Sequence, residues 1–173
     1  MTTYALGPDD GTLAVRTERT GAAAKAGHDL LLHVTRWNAT LDLGDLPRVA
    51  LDADATSLRV REGTGGMQKL GDEDRANIEK TIDDEVLSRR AIGFRSTRVE
   101  RSGHRLHVEG DLTLARATRP IAFELELAGD RIAGAAVVKQ TEWGMKPYSA
   151  LFGALKVADE VRVEIDAALP QSR

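Results

Sequence analysis

The chain contains no cysteine. Disulfides and thiolate metal sites are therefore excluded. Aromatic side chains are scarce, with three Phe, two Trp and two Tyr. Each large ring consequently carries much of the information about where the interior lies. No stretch approaches the roughly 18 uninterrupted apolar residues that a membrane-spanning helix needs. The first ten residues lack a basic region followed by an apolar run, so no secretory signal is expected and the location expected is cytoplasmic. Neither sign of charge dominates: 24 Lys and Arg face 27 Asp and Glu, for a formal net charge of −3. That balance weighs against a nucleic-acid partner, which calls for a net basic face. There is no Gly-x-Ser-x-Gly elbow, no Gly-Lys-Ser/Thr phosphate loop and no His-Glu-x-x-His array. His28 and His33, and His104 and His107, lack the spacing of a helical zinc site. No catalytic residue, metal or cofactor is expected.

What the chain does have is alternation. Its 173 residues suit a single domain with a sizeable core. Leu13, Val15 and Thr17 share one face, with Arg16 and Glu18 on the other. Trp37, Ala39, Leu41 and Leu43 alternate with Asn38, Thr40 and Asp42. Val49, Leu51 and Ala53 follow the same period, as do Ile92, Phe94 and Ser96. Leu106 and Val108, Leu112 and Leu114, and the run Ile121, Phe123, Leu125, Leu127 continue it. Val161, Val163, Ile165 and Ala167 close the series. A period of two with one apolar face marks antiparallel strands wetted on one side. About eight such strands predict an all-β sandwich or closed barrel. Ser102-Gly103 and Gly129-Asp130 read as hairpin turns.

Two segments break the period. Gly63, Gly65, Gly66 and Gly71 mark a flexible connector. Asp72 then caps a helix running to about Leu87, with Ile78, Ile82 and Val86 as its apolar stripe. A lone helix of this kind crosses or closes a sheet edge. The second break, 142–153, combines Trp143, Met145, Tyr148, Leu151 and Phe152 with two Gly and a Pro. A loop this apolar must bury its rings, either over a barrel mouth or under a sheet edge.

The inward faces suggest a container. Trp37, Phe94 and Phe123 fall on the inward sides of three strands, with the small residues Ala39, Ala53, Ser96 and Ala167 between them. Small side chains toward a barrel axis leave space for one ligand, although a fully packed core fits the same pattern. The candidate apolar lining is Trp37, Ala39, Phe94, Phe123, Trp143, Tyr148 and Phe152. His28 and Asp29 are the candidate contacts to a polar head, His28 because imidazole donates a hydrogen bond and charges near neutral pH. Neighbours on a strand point apart, so this pair works together only from a turn; otherwise Asp29 caps local backbone.

A family resemblance carries the same conclusion. Lys25-Ala26-Gly27-His28-Asp29-Leu30 with Val34-Thr35-Arg36-Trp37 resembles the opening of YceI-like proteins. Leu58-Arg59-Val60-Arg61-Glu62-Gly63 and Ala117-Thr118-Arg119-Pro120-Ile121 resemble later motifs of that family. So does the run from Trp143-Gly144 through Pro147-Tyr148-Ser149-Ala150-Leu151-Phe152-Gly153-Ala154-Leu155 to Asp159-Glu160-Val161. The likeness is greatest to the cytoplasmic, actinobacterial type. It implies an eight-stranded, lipocalin-like antiparallel barrel with a helix beside it, and in some members a polyisoprenoid chain held inside with its polar head near the mouth. The family often has Ser after the His, where this chain has Asp29. An acidic group there would repel a pyrophosphate, so an uncharged head fits at least as well.

Three functions compete on these residues. The first is binding, sequestration or transport of a long apolar ligand, isoprenoid or lipid-like, by a chain that is not an enzyme. The second is an enzyme or enzyme subunit using His28 and Asp29, with Tyr148 near them. The third is a structural domain that binds a partner, or a second copy as a homodimer, through residues 143–153. The first accounts for the most residues.

Overall fold

The computed structural model describes residues 3–66, 69–150, 153 and 155–170. Chain order runs β1 (Thr3–Leu6), β2 (Gly11–Thr17), β3 (Arg19–Thr20), β4 (Asp29–Val34), β5 (Trp37–Asp42), β6 (Arg48–Ala53) and β7 (Leu58–Thr64). The helix α1 (Asp72–Thr81) follows, continued by one π-helical turn, Ile82–Val86. Then come β8 (Ile92–Ser102), β9 (Arg105–Leu114), β10 (Ala117–Ala128), β11 (Arg131–Lys139), β12 (Ser149–Ala150), β13 (Leu155–Val157) and β14 (Glu160–Ala168).

The fold is all-β and antiparallel, a single curled sheet of lipocalin-like type. Its strand order is β1-β5-β6-β8-β9-β10-β11-β14-β2-β4-β7. The main sheet therefore has eleven strands rather than eight. Two bends account for most of the difference. β4 and β5 are one long arm interrupted at residues 35–36, and β6 and β7 are another interrupted at 54–57. The inner halves pair at Trp37↔Ala53 and the outer halves at Val34↔Leu58. One bent hairpin thus supplies β4 and β7 at one end of the strand order and β5 and β6, next to β1, at the other, and draws the sheet round on itself. Counting each arm once and setting β1 aside leaves the eight anticipated strands.

Ser57 fastens the bend. It is fully buried. Its hydroxyl accepts from the Arg36 N–H (3.0 Å) and donates to the Asp54 carbonyl (2.7 Å). The Thr35 N–H donates to the Ser57 carbonyl (2.9 Å) and the Asp54 N–H to the Arg36 carbonyl (3.0 Å). Backbone groups that leave the ladder at a bend must find other partners when buried, and one serine supplies several of them.

The helix begins one residue earlier than its acidic run suggested. Gly71 is the N-cap, and Asp74 reaches back so that its carboxylate accepts from the Gly71 N–H (3.0 Å). Asp72 is the first helical residue, where its charge complements the helix dipole. The regular helix ends at Thr81, and the π-helical turn carries the apolar stripe on to Val86. Glu79 docks α1 on the edge strand β7: its carboxylate accepts from the Val60 N–H (3.4 Å) and stands 3.9 Å from the Arg59 guanidinium. Ile78, Ile82 and Val86 pack toward the core, which includes Leu41, Leu106, Val108, Leu125 and Ile132.

Candidate ligand cavity

The inward faces of the strands do not fill the barrel. They enclose a cavity of about 900 Å³ with a predominantly apolar wall. That lies at the upper end of the roughly 300–1,000 Å³ typical of small-molecule sites. Phe94 and Phe123 meet on one side of it, their ring centroids 5.2 Å apart and tilted by 57°. Ala39 and Ala53 leave room opposite larger neighbours. On β11, Gly134 and Ala136 do the same. A Cβ on Gly134 would stand 2.5 Å from the Glu124 carbonyl, so glycine there lets β10 and β11 approach closely. The helix completes the wall with Leu70, Ile78, Ile82, Val86 and Leu87.

Several charged wall residues come together at one end. Strand register fixes this: Thr17 pairs with Leu30, Leu30 with Gly63, Lys156 with Thr20, and Val157 with Arg19. Arg19, His28 and Lys156 lie on the wall at that end, and Lys69 and Asp74, also on the wall, flank Leu70, whose side chain lies against Gly63. Tyr148 joins them at the rim, 45% exposed. Arg19 is seated by its own Nη1, which donates to the carbonyls of Gly27 (3.1 Å) and Thr64 (2.8 Å). Gly65 and Gly66 have φ of +78° and +75°. An added Cβ would stand 1.7 Å from Arg19 Nη1 at Gly65 and 2.5 Å from His28 Nε2 at Gly66. Rather than a mere connector, these glycines form a close platform against which Arg19 and His28 rest.

The segment after β11 contributes Gln140, Met145 and Tyr148 to the wall. Trp143 is buried and its indole N–H donates to the Leu112 carbonyl (2.9 Å). Asp159 ties down the same segment, accepting from the Thr141 N–H (2.8 Å) and hydroxyl (2.6 Å). The hydroxyl bond holds the Asp159 carboxyl below its ordinary pKa.

Of the residues anticipated on the wall, the structure places Ala39, Phe94, Phe123, Tyr148 and His28 there. Trp37 is elsewhere: it is buried at the bend, beside a shallow outer hollow with Pro8, Thr35 and Arg36. Trp143 faces Leu112 and not the cavity. Phe152 lies outside the described residues. Asp29 is off the wall; its carboxylate accepts from the Arg19 N–H (2.8 Å) and so braces backbone. His28 and Asp29 therefore part company at the start of β4, as neighbours on an extended chain do. Among the described residues, no group of three or more His, Asp or Glu is placed to hold a metal ion.

Sequence reasoning missed three parts of the wall. The Gly129-Asp130 turn implied a strand after it, but the inward face of β11 was not assigned, because Ile132 to Val138 is apolar on both faces and shows no alternation. The stripe Ile78, Ile82, Val86 was visible as an apolar face, with no sign that a cavity lay beneath it. Arg19, Lys69 and Lys156 carry no sequence signal at all, because only the fold brings them to one rim.

These features define a class: a curled antiparallel barrel enclosing one large apolar cavity with a polar rim. The sequence profile of the YceI-like domain matches residues 13–169, and the chain belongs to that family. No curated protein matches. Among solved structures, the chain is similar to BcnA of Burkholderia cenocepacia at 12% identity and TM-score 0.67, covering 92% of this chain and 96% of that one. It is similar to a polyisoprenoid binding domain from Saccharophagus degradans, implicated in plant cell wall breakdown, at 10% identity and TM-score 0.60, covering 98% and 99%. The YceI protein of Campylobacter jejuni matches at 11% identity and TM-score 0.54, covering 81% and 85%. At such identities the likeness is one of fold.

Proposed function

We propose that the protein binds one long apolar molecule, isoprenoid or lipid-like, inside the barrel, and sequesters or carries it without transforming it. The observation that carries this reading is the cavity of about 900 Å³ walled by Phe94, Phe123, Ala39 and the helix stripe. Each methylene transferred from water to such a wall gains about 0.8 kcal/mol, so a long chain needs few polar contacts. The polyisoprenoid-binding domain of the same fold supports an isoprenoid among the candidates. The divergence of His28 and Asp29 removes the arrangement that an acid–base reaction at this site would use.

Native mass spectrometry of the purified chain, followed by organic extraction, tests this. The expected result is a hydrophobic adduct, or saturable binding of geranylgeraniol once the chain is stripped. Ala39→Phe, which fills the cavity from β5, is expected to weaken that binding by about tenfold or more. A chain with no adduct that binds neither geranylgeraniol nor palmitate would rule the reading out.

A further inference from the structure

Resting on that reading, the geometry points to an anionic head group on the ligand, a phosphate or carboxylate attached to the apolar chain. The cavity is electrically lopsided. Its wall carries three fixed cations, Arg19, Lys69 and Lys156, and one carboxylate, Asp74. The chain as a whole has the opposite balance, with a net charge of −3. Arg19 and Lys156 meet at the end set by the strand register, Lys69 adjoins Leu70, which lies against Gly63 there, and the remaining wall is mostly Leu, Ile, Val, Ala and Phe.

The wall carboxylate is already engaged. Asp74 accepts from the Gly71 N–H at the start of α1 (3.0 Å), so it serves the helix cap. The lysines are not: among the described residues neither Lys69 nor Lys156 forms an ion pair, although nine arginine–carboxylate contacts occur elsewhere. Arg19 is held at the rim by two backbone carbonyls, which fix its guanidinium without neutralising it. His28 stands beside it on the wall and adds a donor. A head bearing anionic oxygens would meet several donors along this wall, and charge-assisted bonds to such oxygens are about twice as strong as neutral ones. The sequence argument for an uncharged head rested on Asp29. That carboxylate lies off the wall and accepts from the Arg19 N–H (2.8 Å), so it braces backbone rather than facing the cavity.

The test uses a matched pair, geranylgeranyl phosphate and geranylgeraniol, titrated calorimetrically into the stripped full-length chain, with inorganic phosphate as a third probe. The phosphate is expected to bind about tenfold or more tightly than the alcohol. In Lys69→Gln/Lys156→Gln that ratio should fall toward one. Both lysines are exposed, and an unchanged unfolding midpoint verifies the fold of the variant; Arg19→Gln gives an independent second reading of the ratio. Equal or weaker binding of the phosphate, or a ratio that survives both variants, overturns the anionic head while leaving the apolar site standing. Binding of inorganic phosphate as tight as that of the lipid phosphate also overturns it, in favour of a small-anion site. Failure of both lipids to bind overturns this inference together with the function on which it rests.

Discussion

His33 stands on β4 between inward Leu32 and Val34, paired across to Ala14 and Arg59. Burial, aided by the Arg61 charge, lowers its pKa from 6.5, against a smaller opposing pull from Glu62. The folded state thus takes up this proton less readily than the unfolded chain. Above pH 6.5 both states are neutral and the group contributes nothing to the difference. As pH falls through 6.5, the unfolded chain is protonated first and stability declines. His33→Gln should therefore show a smaller loss in urea midpoint between about pH 8 and pH 5.5 than the parent chain. Parallel curves for the two proteins would show that His33 is not the group responsible. Its side chain is only partly buried, which keeps the effect modest.

At the scale of elements, the bent hairpin matters most. Its arms would run straight past the barrel if residues 35–36 and 54–57 kept the strand ladder. Ser57→Ala deletes the hydroxyl that meets the Arg36 N–H and the Asp54 carbonyl. The Asp54 carbonyl keeps the Ser57 N–H (3.1 Å), so the Arg36 N–H is the group that loses its partner, at a cost of about 1 kcal/mol for a part-buried bond. The variant should unfold at lower denaturant with an unchanged slope, since the surface exposed on unfolding is the same. Parent-like stability would mean that the backbone bonds alone hold the bend. Most strands were legible in advance. The alternating runs of β2, β5, β6, β8, β9, β10 and β14 each have one buried face, and burial of that face dictates both period and direction. β11 was legible only through the turn before it, since its outward positions include the apolar Ala133 and Val137, the latter 59% exposed, and so its faces do not differ in polarity. The helix was legible from its stripe, but its cap was not: Gly71 has no side-chain signal, and the capping carboxylate comes from Asp74.

For the whole molecule, cavity and fold are one thermodynamic system. A ligand that binds only the folded barrel stabilises it by mass action, about 2.7 kcal/mol at a hundredfold excess over Kd. Geranylgeraniol should raise the thermal midpoint of the stripped chain in a concentration-dependent way, and much less so that of Ala39→Phe. Differential scanning calorimetry reads both. An equal rise in the two proteins would place the ligand outside the cavity. No helix among the described residues is long and apolar enough to cross a membrane.

The sequence by itself determined the all-β class, the inward faces and the single amphipathic helix, because period and polarity are local properties that any folded arrangement must satisfy. It also carried the resemblance to the family to which the chain belongs. Only the tertiary structure decided which inward residues surround empty space and which pack. Phe94 and Trp143 are both buried, yet one faces the cavity and the other a carbonyl. The charge of the mouth was likewise decided there. Arg19, Lys69 and Lys156 are far apart in the chain, and the choice between head-group contact and backbone cap for Asp29 is made only where it is seen bonded to backbone. Electrostatic character at a rim depends on distances between remote residues, and those distances exist only once the sheet has curled.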